Sequence, residues 1–240
     1  MGANQAARSP VAATSHDRAA KDALNEQFAR VGQALANGRR VELLDLLAQG
    51  ERGVEALAAE AEIGVTLASA HLQVLRRAGL VETRRQGTHV FYRLAGDDVY
   101  RLLASVRDLA TRRIADAERA ARHYLGEPDA LEPVSREELL RRVEAGDVVV
   151  VDVRPAAEYA AGHIAGAISV PLDELEARLA ELTPEREVVA YCRGPFCALG
   201  AHGVDLLRRH GRRARRLVDG FPEWRLARLP VAQGNPSAQG

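Results

Sequence analysis

The chain has 240 residues, with 33 Lys+Arg against 33 Asp+Glu and an aromatic content of 4%. Formal neutrality argues against a uniformly basic nucleic-acid coat or an acidic disordered tail, though not against a local basic face. The scarcity of rings argues against a platform for stacking single strands. No apolar run approaches the ~18–20 residues of a membrane span, and Met1 to Ala20 holds no apolar signal core. No membrane partner is expected, and two cysteines without an export signal predict a reducing, cytoplasmic setting.

Residues 1–16, rich in Ala, Ser, Asn and Gln with Pro10 among them, predict a disordered lead. Leu24, Phe28, Val31 and Leu35 then recur at helical spacing, and Asn37-Gly38 stops that helix. Helices are predicted from Arg39 to Ala48 and from Val54 to Ala61. After the break at Ile63-Gly64, Thr66 is expected to cap a fourth helix reaching Ala78. Leu80 to Arg85 and Val90 to Leu94, either side of Gln86-Gly87, predict a hairpin. Asp97 to Tyr124 returns to helix, with Leu103, Val106, Ala110, Ile114 and Ala117 on one stripe. Gly126, Pro128 and Pro133 mark a linker.

The second half differs in kind. Ser135 and Glu138 form a possible capping box for a helix to Glu144. Val148 to Val151 is the continuous β-branched run of a buried parallel strand. Strands are predicted at 167–170, 188–191 and 214–218, and helices at 172–182, 198–210 and 222–226. This alternation argues for a parallel α/β sheet. The predicted class is multidomain: a mainly-α winged helix-turn-helix at 17–125, a linker at 126–134, an α/β domain at 135–232 and a disordered tail at 233–240.

Two short helices, a tight turn and a hairpin make the winged helix-turn-helix. Between Thr66 and Leu94 five arginines (Arg76, Arg77, Arg84, Arg85, Arg93) meet one acid, Glu82. A helix and wing facing phosphates carry such an excess, although a solvated basic face would too. Thr66, Ser69 and His71 lie near the helix start, where base edges are reached. Arg76, Arg77, Arg84, Arg85 and Thr88 are the expected backbone contacts on double-stranded operator DNA.

The stretches Arg40-Val41-Glu42-Leu43-Leu44, Leu72 to Val81 (LQVLRRAGLV) and Gly87 to Leu94 (GTHVFYRL) resemble the ArsR family of bacterial repressors over about residues 20–120. The resemblance implies a homodimer joined through the first and last helices. Leu24, Phe28, Val31, Leu103, Val106, Ala110 and Ile114 are the expected contacts. This half contains no cysteine and no paired histidine ligands, so no metal site and no cofactor are expected.

Both cysteines fall in Tyr191-Cys192-Arg193-Gly194-Pro195-Phe196-Cys197, between a buried strand and a helix. A thiol there meets backbone N–H groups and a helix N-terminus, which favour thiolate; Gly194 lets those groups converge. Such a thiolate is a nucleophile, and its cradle can hold an anion. A zinc site lacks a second ligand pair, and the sixth residue after Cys192 is Ala198 where a tyrosine-phosphatase loop needs arginine. The arginines at 208, 209, 212, 213, 215 and 216 steer anions or form a solvated surface.

Residues Val151 to Pro155, Gly162 to Ala167, Tyr191-Cys192 and Asp219 to Trp224 occur in an order that resembles a single rhodanese domain over about 133–232. The resemblance implies a sulfurtransferase in which Cys192 carries sulfur as a persulfide, with Asp152 and Arg154 acting in catalysis or as a salt bridge holding the loop. Arg193, Gly194 and Cys197 complete the candidate site. Cys197 replaces the usual terminal anion-binding side chain, and could take sulfur from Cys192 or close a disulfide. A small donor such as thiosulfate or polysulfide is the expected partner. Three functions remain open: a sulfur-responsive regulator, a sulfurtransferase with an autoregulatory DNA-binding domain, and a repressor carrying a catalytically idle module.

Overall fold

The computed structural model describes residues 15–126 and 132–234; most of the predicted lead, the centre of the linker and the end of the tail lie outside these. The first domain runs α1 (Ser15–Leu35), α2 (Gly38–Ala48), β1 (Arg52–Gly53), α3 (Val54–Glu60), α4 (Val65–Arg77), β2 (Val81–Gln86), β3 (His89–Leu94), α5 (Asp97–Arg113) and α6 (Ala115–Leu125). Asn37 does not merely stop α1. Its side chain accepts from the Arg40 N–H and caps α2, as short polar residues at that position do. The hairpin pairs Gln86 with His89, and Gly87 takes the positive φ of 60° that a two-residue loop opening on glycine requires.

Three sequence expectations are corrected in this half. Gly64, not Thr66, is the N-cap of α4, without a side-chain cap, so Thr66 stands exposed in the first turn. The long helix after Asp97 is two helices, because Ile114 takes extended backbone angles (φ −116°, ψ 106°). A third strand, β1, was not foreseen; it pairs antiparallel with β3, Arg52 opposite Tyr92. The core joins Leu43, Leu44 and Leu47 of α2 to Leu72 and Leu75 of α4 and to Tyr100 and Leu103 of α5.

The second domain runs α7 (Arg136–Glu144), β4 (Val148–Asp152), α8 (Ala156–Ala161), β5 (His163–Ile164), β6 (Ile168–Ser169), β7 (Glu187–Tyr191), α9 (Ala198–Arg209), β8 (Ala214–Arg216), α10 (Phe221–Leu226) and β9 (Val231–Ala232). The sheet order is β6-β4-β7-β8, every pair parallel, while β5 and β9 pair antiparallel apart from it. Val134, assigned to the linker from sequence, is buried and bridged to Leu217. The helix expected over 172–182 is a succession of turns closed mainly by i→i−3 bonds, with one i→i−4 bond from Arg178 to Glu174, ending in a 3-10 turn at Leu179–Glu181. Period-two alternation splits β7 between two cores. Val189 and Tyr191 face Trp224 and Phe221; Val188, Ala190 and Cys192 face Val204 and Leu207 of α9.

The two domains pack on each other. Leu226 of α10 lies against the first domain's core, and the Tyr100 hydroxyl donates to Glu223 Oε1 at 2.5 Å. Burial raises the Glu223 carboxyl above its ordinary range, so that bond matters to it. Removing one partner of a buried polar pair costs about 1–3 kcal/mol. Tyr100→Phe is therefore expected to lower the urea midpoint of the full-length protein by a corresponding amount, measured by tryptophan fluorescence at Trp224; an unchanged midpoint would show the bond to be energetically idle.

Candidate functional site

Cys192 leaves the C-terminal end of β7, where open parallel sheets gather their functional groups. The loop returns at Cys197, the N-cap residue of α9. The Cys192 side chain is 1% exposed. Its thiol donates to the carbonyls of Cys197 at 3.4 Å and Gly194 at 3.7 Å. The loop's N–H groups serve the other sulfur: Cys197 accepts from the Cys192 thiol and from the backbone N–H groups of Arg193 and Leu199. The cradle expected around Cys192 is thus divided: the Gly194 N–H and the Arg216 charge favour its thiolate, while Cys197 takes the larger share of N–H groups. Burial pushes the Cys192 thiol up, with its hydrogen bond to Cys197 adding to this. The bond received from Cys192, with the N–H groups, lowers Cys197 to about 7.

Arg216, grouped from sequence with a surface cluster, is 8% exposed. Its Nη2 donates to the carbonyls of Gly194 at 2.9 Å and Pro195 at 2.7 Å, shaping the loop from beneath. Its Nε is buried with no hydrogen-bond partner among the described residues. A Cβ placed on Gly200 would lie 3.0 Å from Cys192 Sγ and 3.3 Å from that Nε, so both flank the same glycine. Other cluster members bind loops too: Arg212 donates to the Leu179 and Leu182 carbonyls, and Arg215 to Glu138 and the Glu132 carbonyl. Gly220 is the tightest point, since a Cβ there would sit 2.2 Å from the Gly194 nitrogen.

Asp152 and Arg154 form a fully buried bidentate pair, Nη2 to Oδ2 at 2.6 Å and Nε to Oδ1 at 2.9 Å. Arg154 also donates to the Gly162 carbonyl and to Gln49 Oε1, and the Tyr191 hydroxyl donates to Asp152 Oδ2. These partners tie strand ends together, and none is a cysteine. His163 stacks on Tyr159 at 3.6 Å.

Arg193 is held more tightly than a loop arginine need be. It meets Glu158 through Nη2 at 2.6 Å and bridges on to Glu60 at the end of α3. Glu158 has no exposed side-chain surface and takes a second cation, Arg52 of β1, at 2.6 Å. Gln49 Nε2 donates to the Arg193 carbonyl at 3.2 Å. Gln49, Arg52, Glu60 and Tyr100 were all missed from sequence. Each is an ordinary residue whose role comes from a partner more than a hundred positions away, and no local signal marks it.

On the first domain, Thr66, Arg76, Arg77, Arg85 and Thr88 are exposed, and Ser69 and His71 half-exposed. Arg84 is engaged by Glu51 and Arg93 by Glu82. Leu24 and Phe28 stand 54% and 64% exposed, and Val106 and Ile114 are exposed as well, whereas Val31 and Ala110 are half-buried. Leu103 departs from expectation: it is 1% exposed within its own domain's core and cannot also face a second subunit.

Two outcomes follow from the loop geometry. Thiolate absorbance of the reduced protein should rise as pH passes about 7. In Cys197→Ser the remaining step should move above that of an ordinary thiol, because burial is the largest influence on Cys192 and outweighs the Arg216 charge and the Gly194 N–H. Gly220→Ala should displace the loop and destabilise by about 1–3 kcal/mol, as overpacking does, read by denaturant unfolding.

Residues 37–83 match the bacterial regulatory protein arsR family, and residues 135–227 match the rhodanese-like domain family. The chain is 55% identical over 220 residues to the HTH-type transcriptional regulator Rv0324 of Mycobacterium tuberculosis, covering 92% of this chain and 96% of that one. It is 32% identical over 91 residues to a sulfurtransferase of Allochromatium vinosum, covering 38% of this chain and 84% of that protein. A solution structure of the homodimeric winged helix-turn-helix domain of Mb0332 from Mycobacterium bovis shares 57% identity, covers 39% of this chain and 87% of that one, and superposes with a TM-score of 0.37. With a winged helix in front and a cysteine loop on a parallel sheet behind, the chain belongs to the ArsR family of transcriptional regulators and carries a C-terminal rhodanese-like domain.

Proposed function

We propose that this regulator binds operator DNA as a homodimer and that its Cys192–Cys197 pair takes up sulfane sulfur, which sets the affinity for DNA. The observation that carries this reading is the anchorage of Arg193, the neighbour of Cys192, to Glu60 of the DNA-binding domain. In the uptake step the Cys192 sulfur attacks the outer sulfur of a donor R–S–SH. An S–S bond forms at Cys192, the donor's S–S bond breaks, and its electron pair departs on R–S⁻. The Cys192 proton passes to the Cys197 thiolate, its hydrogen-bond partner. The outer sulfur of the Cys192 persulfide then goes to an acceptor thiol, and Cys197 is within reach.

A persulfide places a second sulfur ~2.05 Å beyond the first. Cys192 Sγ already has two carbonyls and the Gly200 backbone against it, so the loop must yield, and Arg193 with it. Arg193 leads to α3, which precedes α4, and through Glu158 and Arg52 to the base of the wing. Thr66, Ser69 and His71 are the proposed base-reading residues. Arg76, Arg77, Arg85 and Thr88 meet phosphate, and Arg84, tied to Glu51, contributes less. The exposed faces of α1 and α5 and the break after α5 supply the dimer contact through Leu24, Phe28, Val106 and Ile114. The similarity to a sulfurtransferase favours a second reading, catalytic turnover with thiosulfate and cyanide, which a direct assay separates from sensing.

The test is fluorescence anisotropy on a DNA fragment selected by the protein itself, with and without polysulfide. The apparent Kd should change by about 5–150-fold, the usual range of coupling between sites. Cys192→Ser/Cys197→Ser should bind DNA without responding. Glu60→Gln should still take up sulfur, by intact mass, yet respond less. A double-serine protein that responds like the wild type would overturn the proposal.

A further inference from the structure

Between the cysteine loop and the last helices of the first domain lies a cavity of about 390 Å³. Thr111, Ala121 and Leu125 form one wall; Pro195, Phe196 and Val218 form the other. A second cavity of about 320 Å³ adjoins it, sharing Thr111, Pro195 and Phe196. Volumes of a few hundred Å³ with apolar walls and few polar groups suit small organic molecules. Of the polar groups in the larger cavity, Glu118 and Arg122 are paired with each other at 2.7 Å. The Thr111 hydroxyl donates to the Arg107 carbonyl, which leaves Arg216, whose buried Nε stands across Gly200 from Cys192 Sγ. One arginine thus borders both the cavity and the thiol.

The same loop is poorly equipped for a small dianion. Arg193 is consumed by two carboxylates. Arg216 spends its Nη2 on the Gly194 and Pro195 carbonyls. The last loop position is a cysteine. A dianion stripped of water needs several paired donors, and beside the loop the buried side-chain donor without a partner is the Nε of Arg216. A monoanionic group on an apolar body suits that single donor and the carbon-lined space beside it.

We infer that the sulfur donor is an organic persulfide with an apolar alkyl or aryl body, which lodges between Phe196 and α6 and presents its outer sulfur past Arg216 to Cys192; thiosulfate is the poorer donor. This rests on the sulfur-uptake reading above and names its substrate class. The chemistry is the balanced transfer already described: the organic thiolate leaves, its body still in the cavity, and no oxidant is needed.

The experiment uses the reduced full-length protein and three donors at equal sulfane sulfur: benzyl persulfide, glutathione persulfide and thiosulfate. Intact mass and peptide mapping follow the gain of one sulfur atom at Cys192. The initial rate with benzyl persulfide should exceed the other two by about tenfold or more, within the range one apolar pocket can discriminate. Ala121→Trp fills the cavity from α6, away from the loop. It should lower the benzyl persulfide rate by about tenfold while leaving glutathione persulfide within about twofold, the latter rate also reporting that the loop is intact. Equal rates from all three donors, or indifference to Ala121→Trp, would overturn the inference and leave sulfur uptake standing. No sulfur gained from any donor would instead overturn the uptake reading itself.

Discussion

The Glu158 carboxylate has no contact with solvent, and its two cations come from different domains. A buried carboxylate left with one partner short is strongly destabilising. Glu158 therefore favours β1 of the DNA-binding domain standing against α8 of the rhodanese-like domain over any arrangement that leaves it buried with one cation. Arg193 completes the arrangement from the cysteine loop and reaches back to Glu60. Two acids and two bases, one of each from each domain, set how the loop lies on the winged helix. The Tyr100–Glu223 bond and the packing of Leu226 support the same approach.

The loop's internal geometry depends on that placement. Gly194 is pressed between the Gly220 backbone and the hydroxyl of Tyr100, which comes from the first domain. Its carbonyl is shared by the Cys192 thiol, the Cys197 N–H and Arg216. With that carbonyl turned inward, Cys192 becomes a donor and Cys197 the sulfur that collects N–H groups. The two thiols differ in acidity because burial raises Cys192 while the loop's direction gives Cys197 the bond from Cys192 and the N–H groups. It follows that anything moving the first domain away from Gly194 also alters the thiol chemistry, and the converse.

Both fold classes were legible in the sequence because they rest on periodicity. The run Val148 to Val151 can only be a buried strand, and Leu43, Leu44 and Leu47 can only face a helical core. Where periodicity misleads, the fault is physical. Leu172, Leu175, Leu179 and Leu182 have helical spacing, yet the chain satisfies its N–H groups by turns. Ile114 breaks a helix with neither glycine nor proline to announce it, and Leu103 lies on the expected apolar stripe but belongs to the inner side of α5. At the site, the cysteines and the Asp152–Arg154 pair were legible as motif residues. Gln49, Arg52 and Glu60 were not, because a single sequence carries no record of which surface glutamate will meet which loop arginine.

Ion networks of this kind add little net stability, since the cost of desolvating the charges offsets most of their attraction. They are costly only when half broken. A network near balance as a whole, but unfavourable in every intermediate state, has two comfortable conditions: fully paired across the domains, or separated with each charge in water. A small displacement at Cys192 cannot be absorbed gradually by Arg193, because a partial withdrawal leaves Glu158 or Glu60 short of a cation. The ion pairs thus tie the cysteine loop to the base of the wing and to the end of α3 together. A hydrophobic interface of the same area would creep and reseat, passing little on.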